Sequence, residues 1–515
     1  MTSFATVMPG RTGKILSYEQ LALWTVFGMY LLLLGLAIVH HEPWGDEVHS
    51  WNIAKGSATY LDVIRNSRFE GHPPTWYTVM WLVSKCTHHF VYVQVVHGIL
   101  AATSVWLILF YAPLPFWSRL LAPFGYFLLF EYATLTRNYA IGVLLACCIC
   151  VVMHRPFKGQ LLCYYALLLL LSNTHLLGLL LAGSIHVYYI LDRYAKQPGA
   201  AKQAGSFLLG LLCLLPAGYF ITPPTGSALD FDFWLKRMFS SAQSNFMITV
   251  QAPLRVLVPL PAWWQDHWWN TQFLLDWQGS YRWLKYGTPL LALFIAGAMI
   301  YVLRRHRPSL WLFLTNLSVT ALLSMTIFPI GCARYGGYIF ISWIVAWWLS
   351  CYHVAPLPRK QRMANGLLIM QALAALVAIG LDWNRPFSNF NRVGELAQKV
   401  PASRTLVCDY WGLNAVAAFM DQPMYCMDLQ QETAYLLWNE RMAELMRSPY
   451  RYSLGAQQLN KQGVAQFYMI SSNPPPTIIR LDDRLEKLYA VTLVDKREGA
   501  VESGGNLYLY SIQPR

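Results

Sequence analysis

Charged residues are scarce in this chain: Asp, Glu, Lys and Arg make up 13% of its 515 residues, whereas 56% are apolar. This balance excludes an ordinary soluble globular protein and, with a positive mean hydropathy, predicts an integral membrane protein with many spans. The formal charge of +13 does not indicate nucleic acid as a partner. Its basic residues concentrate in short loops between apolar runs, as they do on the cytoplasmic side of membrane proteins.

Other features are missing as well. The chain has no phosphate-binding glycine loop and no internal repeat, and transporters built from inverted repeats would show one. Its ten cysteines do not follow zinc-domain spacing. The N-glycosylation sequon at Asn316 lies within an apolar run, and no usable one occurs outside the spans. This favours a bacterial inner membrane over the endoplasmic reticulum.

Apolar runs define the predicted spans, since a helix needs about 20 apolar residues to cross a bilayer. Eleven runs qualify, several of them short: 20–39, 93–111, 119–135, 138–153, 160–173, 175–192, 205–221, 287–303, 309–329, 338–353 and 365–381. The stretch 73–85 is too short and predicts a re-entrant or juxtamembrane helix. With the N-terminus inside, every strongly basic loop falls on the cytoplasmic side, as the positive-inside rule requires.

Two domains are expected from the change in composition. Residues 1–381 form a helical membrane domain with outer loops 40–92 and 222–286, and residues 382–515 form a small α/β domain on the outer face. The second domain has alternating strand-like and helix-like runs, and we expect it to support or cover a site rather than perform chemistry. Cys408 and Cys426, near two predicted strands, are a candidate disulfide.

Acidic residues follow the first apolar run directly, in "HHEPWGDEVHSW". Asp46 and Glu47 are adjacent, so on a helix they diverge by about 100° and only one can point straight into a given cavity. A carboxylate in such a cavity acts as a general base, although a solvated loop carboxylate would give the same pattern. His49 lies in the same segment without an obvious role.

The next outer segment, "FEGHPPTWY", contributes Glu70 and His72. The two prolines that follow can start a helix, which would put His72 at a positive helix end suited to an anionic group. Arg137 in "TRNYA" and Arg334 in "ARYGGY" lie at helix ends in two other outer corners, where a guanidinium can bind a lipid phosphate or simply anchor its helix at the interface.

Several further residues are candidates for binding or accessory roles. Tyr139 and Tyr335 follow the two arginines and could add hydrogen bonds, and His175 lies at another outer corner. Trp263 and Trp264 belong to a dense tryptophan cluster in loop 222–286. Such a cluster is expected from the aromatic belt of membrane proteins, but it also suits stacking on an acceptor or an isoprenoid chain.

Taken in order, "EPWGDEVHSW", "EGHPPTWY", "TRNYA" and "ARYGGY" resemble the GT-C class of polytopic membrane glycosyltransferases. The resemblance is to the branch with protein O-mannosyltransferases, aminoarabinose transferases and bacterial lipopolysaccharide glycosyltransferases. It covers most of the first 150 residues and part of the last spans. The chain departs from the family at His49, where many relatives have a small or other polar residue, and after "RYGG", where a Pro-rich continuation is absent.

The resemblance implies a hexosyl- or pentosyltransferase that takes sugar from a polyprenyl-phosphate donor lipid on the periplasmic face. The acceptor would be a glycan, lipid or protein, and transfer would be inverting. Asp46 would be the general base and Glu47 its neighbour, orienting the acceptor or a divalent metal. His72 and Arg137 would line the donor site, with Tyr139 and Tyr335 beside it, and Arg334 would hold the lipid phosphate. Glu70, His49, His175, Trp263 and Trp264 would serve the acceptor or accessory roles.

Three alternatives remain open at this stage. A flippase or transporter of lipid-linked sugars would move the lipid without forming a transfer product. A transferase that uses a diphosphate lipid and moves a whole oligosaccharide would be expected to have a richer metal site than one Asp-Glu pair. A non-catalytic membrane scaffold would tolerate substitution of the outer carboxylates.

Overall fold

A computed structural model of the chain describes residues 17–196, 200–228, 245–326 and 331–515. Parts of loop 222–286 and the end of the predicted span 309–329 therefore lie outside the described residues. The described part is mostly helical, with a small C-terminal sheet. This agrees with the predicted fold class, a helical polytopic membrane protein with a small α/β domain.

The described helices begin with α1 to α10. They are α1 (Tyr18–His40), α2 (Gly45–Gly56), α3 (Tyr60–Phe69), α4 (Thr75–Ser84), α5 (Val91–Tyr111), α6 (Phe116–Leu121), α7 (Tyr139–His154), α8 (Gln160–Ser172), α9 (Leu176–Lys196) and α10 (Ala200–Ile221). The later helices include α11 (Ala252–Leu257), α12 (Phe273–Asp276), α13 (Leu284–Leu303), α14 (Arg307–Thr326), α15 (Ala333–Cys351), α16 (Pro358–Asn384), α17 (Val393–Ala397), α18 (Tyr410–Phe419), α19 (Glu440–Arg447), α20 (Arg451–Lys461), α21 (Pro475–Leu481) and α22 (Asp483–Leu488).

In the described part, seven helices are long and apolar enough to cross a membrane: α1, α5, α9, α10, α13, α14 and α16. Helices α7 and α8 are apolar but shorter. Helix α15 is almost entirely buried among the others, which is why it can be rich in Trp and Gly without facing lipid. The protein is therefore an integral membrane protein by composition and helix length.

One predicted span, 119–135, is wrong as a continuous helix. The chain there forms α6, a 3₁₀ turn at Ala122–Phe124 and a π-helical turn at Phe127–Glu131. Pro123 lacks the N–H that an α-helix needs, and Gly125 leaves the helix in an extended conformation. Burial against α16 and α5 allows this irregular backbone inside the bundle, because protein groups replace the missing hydrogen bonds.

The short apolar stretch 73–85 forms α4, a helix of ten residues, and not a span. Pro73 and Pro74 precede it, as expected for residues whose missing N–H groups cost nothing at a helix start. Helix α3 begins with a capping box in which Thr59 accepts from the N–H of Asp62 and Asp62 accepts from that of Thr59. Helices α2, α3 and α4 pack against one another and form a compact helical layer in the connection from α1 to α5.

The C-terminal sheet has six strands: β1 (Thr405–Cys408), β2 (Met424–Cys426), β3 (Gln431–Thr433), β4 (Phe467–Ser471), β5 (Tyr489–Arg497) and β6 (Leu507–Pro514). Their spatial order is β3-β2-β1-β4-β6-β5, with β2, β1 and β4 parallel and the outer pairs antiparallel. The strand-like runs of the sequence after residue 382, which are 404–411, 464–472, 488–496 and 506–512, overlap β1, β4, β5 and β6.

Cys408 and Cys426 are free thiols in the structure, and their disulfide stays a prediction. They are directly paired residues on the parallel strands β1 and β2 and are both buried as thiols. Neighbouring strands lie about 4.8 Å apart, which falls within the Cα–Cα range of about 4.4–6.8 Å that a disulfide requires. Burial raises the pKa of the Cys408 thiol well above its usual range, which keeps it protonated and unreactive.

The C-terminal part shares a hydrophobic core with the helices that follow the first span. Val48 and Trp51 of α2 and Trp76 of α4 pack in one buried cluster with Leu413 of α18 and Leu509 of β6. A separate and larger cluster fills the helix bundle. The division at residue 381 stays a prediction, but the two parts are not packed as independent bodies, because α2 belongs to the core of the second.

Candidate active site

Asp46 lies in the first turn of α2, where the end of the first span delivers it. Its carboxylate accepts a hydrogen bond from Nη1 of Arg334 at 2.9 Å, and Nη2 of Arg137 lies 3.6 Å from the same oxygen. Arg137 also donates to the main-chain oxygen of Asp46. The side chain of Asp46 is 42% exposed, while those of Arg137 and Arg334 are 11% and 15% exposed. Three predicted site residues, far apart in sequence, therefore meet.

The two arginines decide the ionisation of Asp46. Burial tends to raise the pKa of its carboxyl, but Arg137 and Arg334, with smaller contributions from His49 and His72, outweigh this and lower the pKa. Asp46 is thus ionised across the physiological range. Because two guanidinium groups face one carboxylate, the cluster keeps a positive charge for another anion.

Glu70 and His72 lie just before α4, as the sequence predicted, and both reach the cluster. His72 has its pKa lowered to about 3, by burial first and then by Arg137. Within the described part of the chain, Nδ1 of His72, Oε1 of Glu70 and the Nε atoms of Arg137 and Arg334 are buried without a hydrogen-bond partner. Orphaned polar atoms are costly in a folded protein, and their convergence around Asp46 marks a place for a polar ligand.

His49, which had no predicted role beyond an accessory one, joins Glu70 to the C-terminal part. Its Nε2 lies 2.8 Å from Oε2 of Glu70, and its Nδ1 lies 3.3 Å from Oδ1 of Asn414 in α18. Since both neighbours are acceptors, the ring satisfies both only as an imidazolium. Burial lowers the pKa of His49, but Glu70 more than offsets this and raises it overall.

Glu47 does not fit its predicted role as a group that contacts the acceptor or a metal. Its side chain is fully buried and accepts from the N–H groups of Trp44 and Thr136 and from Nε2 of His41 at 3.1 Å. Both of its oxygens are occupied by the chain, so Asp46 and Glu47 do not fit a shared metal ion. Glu47 instead fixes the start of α2 against the corner that carries Arg137.

His41 is a residue that the sequence reading missed. Its ring lies between Glu47 and Asp382 of α16, with Nδ1 3.2 Å from the Asp382 carboxylate. Burial lowers its pKa, but the two carboxylates outweigh burial and raise the pKa to about 10. His41 is therefore charged and links α1, α2 and α16. The acidic residues Glu47 and Asp382 were the signal in the sequence that could have identified it.

Aromatic rings surround the Arg334 guanidinium, and one of them belongs to the predicted site residue Tyr335. Its Cζ lies 5.0 Å from the ring of Trp44, 5.7 Å from that of Trp269 and 4.9 Å from that of Tyr335. Such cation–π contacts hold the group in a fixed orientation. The hydroxyl of Tyr335 also accepts from Nη2 of Arg334 at 3.2 Å, so the predicted site residues Arg334 and Tyr335 are in direct contact.

Trp263 and Trp264, the tryptophans chosen from the sequence, lie away from this cluster. Their side chains are about half exposed, with 45% and 41% accessible. Trp263 packs edge to face against Trp264, which stacks on Trp277 with ring centroids 4.9 Å apart. They form an exposed aromatic ladder on the same loop as Trp269, and their contacts in the described residues are with one another rather than with Asp46.

His175 and Tyr139 belong to the packing beneath the site. Nε2 of His175 donates to the hydroxyl of Tyr338 at 2.8 Å and its Nδ1 accepts from the N–H of Gly178 at 3.0 Å. The ring is thus neutral and satisfied, and burial lowers its pKa well below the usual value. Tyr139 stacks on Tyr132 at 5.0 Å. The predicted accessory role of His175 is therefore not supported by its contacts.

A membrane helix bundle that gathers an acid, two arginines and a histidine at one end, beneath a small α/β domain, defines a GT-C-like fold. Two solved structures share this fold over nearly the whole chain. They are ArnT from Cupriavidus metallidurans in the apo state and the same protein bound to undecaprenyl phosphate, with TM-scores of 0.54 and 0.53. Both are 11% identical in sequence, and each match covers 95% of this chain and 97% of that chain.

Sequence comparisons alone do not detect this relationship. No protein-family model matches the chain, and no curated protein matches it in sequence. The GT-C-like fold predicted from short motifs is therefore confirmed by structure, whereas the roles of individual residues are not tested by it.

Proposed function

We propose that the protein is a membrane glycosyltransferase that moves a sugar from a polyprenyl-phosphate donor to an acceptor, with inversion. The observation that carries this proposal is the ionised Asp46 between Arg137 and Arg334, ringed by buried polar atoms that have no partner in the described chain. One base and a pair of cations meet the needs of this reaction, since the donor already has a good leaving group.

The chemistry would be a single displacement at C1 of the sugar. Asp46 removes the proton from an acceptor hydroxyl or amine, the acceptor forms a bond to C1, and the bond from C1 to the phosphate oxygen breaks. The departing lipid phosphate takes the negative charge, which Arg137 and Arg334 stabilise. Attack from the face opposite the leaving phosphate inverts the anomeric centre.

Donor binding would also activate the base. In the structure Asp46 pairs with both arginines. A phosphate that binds them competes for the same N–H groups, so Asp46 loses its hydrogen bond from Arg334 as the donor arrives. Its carboxylate then becomes a stronger base when the donor is in place. Neutral His72, with a buried Nδ1, is suited to a hydrogen bond with the sugar or the phosphate.

A polyprenyl carrier is supported by the likeness to ArnT, one structure of which is bound to undecaprenyl phosphate. The apolar helices next to the cluster offer such a chain a path within the bilayer. By the same likeness and the basic loops, we propose the bacterial inner membrane as the location and the periplasm as the face of the site. The acceptor class, whether glycan, lipid or protein, remains for experiment.

The decisive experiment incubates the purified full-length protein with a panel of polyprenyl-phosphate sugars and membrane extracts, and identifies products by mass spectrometry. We expect transfer from one donor class by the parent protein and none by Asp46→Asn. Arg385→Gln is a matched control, because Arg385 pairs with the exposed Asp266 outside the cluster. Transport of intact donor without a transfer product would identify a flippase, and near-normal turnover by Asp46→Asn would exclude Asp46 as the base.

A further inference from the structure

Three metal-ligating side chains meet at the end of the bundle opposite Asp46. Asp192 lies near the end of α9, His306 between α13 and α14, and His353 just after α15. Arg334 begins α15 and His353 follows it, so at 1.5 Å per residue the two ends of this helix are about 28 Å apart. The cluster is therefore separate from the candidate active site.

The geometry of the three side chains is close to that of a metal site. One ligand atom from each lies within 4.8 Å of the others. Nε2 of His353 is 3.5 Å from Oδ1 of Asp192, and the rings of His306 and His353 stack with centroids 4.4 Å apart. The side chains of His353 and Asp192 are 21% and 18% exposed, so an ion can enter from solution.

A neighbouring serine holds the His306 imidazole in the way that metal-binding histidines are held. Nδ1 of His306 hydrogen-bonds to Oγ of Ser309 at 2.8 Å, which turns the other nitrogen towards the cluster. The hydroxyl of Tyr188 lies 3.1 Å from Nε2 of His353, the nitrogen that also faces Asp192, so an ion bound there replaces this hydrogen bond. His154 packs against the same ring at 5.3 Å.

Basic residues nearby are directed elsewhere. Arg304 lies over the ring of Tyr301 with its Cζ 4.4 Å from the centroid. Arg193, the residue after Asp192, donates to the hydroxyl of Tyr189. Neither contact points the charge of Arg304 or Arg193 between the two histidines, and the carboxylate of Asp192 brings a negative charge to them.

We infer that Asp192, His306 and His353 bind one divalent transition-metal ion of the zinc class. Two imidazoles and one carboxylate are ligands that zinc accepts, with water in the fourth position. Oxygen-seeking Mg²⁺ and Ca²⁺ are disfavoured by this donor set. Zinc–ligand bonds of about 2.1 Å put tetrahedral ligand atoms about 3.4 Å apart, so the cluster must close by roughly 1.4 Å. Closure requires the stacked rings of His306 and His353 to separate.

A bound ion would join three helix connections that are separate in sequence. It would fix the end of α15 whose other end carries Arg334, and it takes no part in the transfer reaction. The inference therefore stands or falls independently of the proposed glycosyltransferase activity.

The test measures zinc bound to the full-length protein in detergent, after removal of metal with a chelator and re-equilibration with ZnCl₂. We expect one equivalent of zinc fewer in His306→Gln and in His353→Gln than in the parent. His88→Gln is the matched control, because His88 is an exposed histidine paired with Asp421 elsewhere, and it should keep the full amount. Cobalt(II) in place of zinc should give visible absorption bands of a tetrahedral site in the parent and lose them in both variants.

Binding at the candidate active site is distinguished by a separate variant. Zinc held by His72 or Glu70 would be lost in His72→Gln and kept in His306→Gln, whereas zinc at the inferred site shows the reverse. Size-exclusion elution and circular dichroism establish that each variant is folded, and Asp192→Asn replaces any that is not. Parent protein without bound zinc, or histidine variants that bind as much as the parent, would overturn the inference.

Discussion

At the scale of single residues, the pairing of Asp46 with two arginines is the feature with the most direct consequences. The arginines lower the pKa of Asp46. We therefore expect the transfer rate to fall at acid pH only below the usual pKa range of an aspartate. A residue that needs to be ionised for catalysis loses activity only as pH falls through its pKa in the folded protein.

The pH dependence of transfer should therefore change in Arg334→Gln. Loss of one cation raises the pKa of Asp46, and we expect the acid limb of kcat/KM to move towards neutral pH. Activity at the optimum should also drop by about 10²–10³-fold, as is typical when a group that stabilises the leaving charge is removed. A variant with the parent's acid limb would show that Arg334 does not act on Asp46. Arg385→Gln should leave the profile unchanged.

His49 is a second residue whose role becomes clear only in three dimensions. As an imidazolium between Glu70 and Asn414, it contributes hydrogen bonds of a charged group, together about 2 kcal/mol. The pKa of His49 is raised in the folded protein. Its contribution is therefore complete below its unfolded pKa and is lost as pH rises through the higher folded value.

The corresponding prediction concerns His49→Gln. We expect its melting temperature to be lower than that of the parent at pH 6 and the difference to shrink as pH rises towards 9. Thermal unfolding followed by tryptophan fluorescence in detergent measures this. A difference that is constant across the pH range would mean that His49 is not charged in the folded protein.

The exposed tryptophans give a third prediction at this scale. Trp263 and Trp264 lie on an aromatic ladder away from Asp46, so Trp263→Ala with Trp264→Ala should leave kcat largely intact. Trp269→Ala should reduce it by about tenfold or more, because its ring packs against the Arg334 guanidinium at 5.7 Å. Steady-state kinetics with the identified donor compares the two. A KM for the acceptor that is raised only in the double variant would instead show that Trp263 and Trp264 bind the acceptor.

At the scale of elements, the irregular segment 116–131 and the start of α15 are packed without spare room. A Cβ added at Gly337 would lie 2.3 Å from the ring of Phe127 and 2.4 Å from the hydroxyl of Tyr132. That same hydroxyl donates to the main-chain oxygen of Arg334 at 2.6 Å. The second glycine of "ARYGGY" thus lets α15 approach the π-helical turn closely enough to fix the arginine.

Gly337→Ala should therefore impair both stability and transfer. Overpacking of this kind costs about 1–3 kcal/mol, and the displacement of Arg334 should reduce kcat/KM further. Gly380→Ala in α16 is the control, since a Cβ there meets nothing within 4 Å. Thermal unfolding and transfer assays on both variants test this expectation. Equal behaviour of the two would contradict the close-packing argument.

A second element-level feature is the contact between α2 and α18. Asn52 donates to the main-chain oxygen of Asn414 at 3.0 Å, and Lys55 donates to that of Ala417 at 2.7 Å. Helix α2 has Asp46 in its first turn, and its later residues are hydrogen-bonded to the C-terminal part. This agrees with the expectation that the α/β domain supports the site.

At the scale of the whole molecule, the face of the membrane that carries the site is testable with one native residue. Cys86 is the exposed cysteine of the described part, next to the helical layer of the site. If that layer faces the periplasm, a membrane-impermeant maleimide should label Cys86 in right-side-out vesicles and not in sealed inverted ones. Cys86→Ser sets the background. Labelling only in inverted vesicles would reverse the proposed orientation.

Much of the membrane part could be predicted because it follows from local sequence. A run of about 20 apolar residues must become a helix in a bilayer, whose core satisfies no free backbone group, and basic loops set the relative orientation. Pro123 and Gly125 show the limit of this reasoning: composition gave a span at 119–135, but burial against neighbouring helices allowed the backbone to break.

The sequence predicted most of the residues that form the site, but few of the contacts between them. Asp46, His72, Arg137 and Arg334 meet as expected from short motifs, because Asp46, Arg137 and Arg334 lie near the ends of apolar helices and His72 lies just before α4 on the same side of the bundle. The sequence by itself therefore determined the helices, the strand-rich C-terminal part and the place where charge gathers. Only the tertiary structure decided which neighbour of Asp46 is buried, that Trp269 rather than Trp263 packs on Arg334, and that His49 reaches Asn414. Those outcomes depend on distances between residues hundreds of positions apart, and periodicity and composition carry no information about such distances.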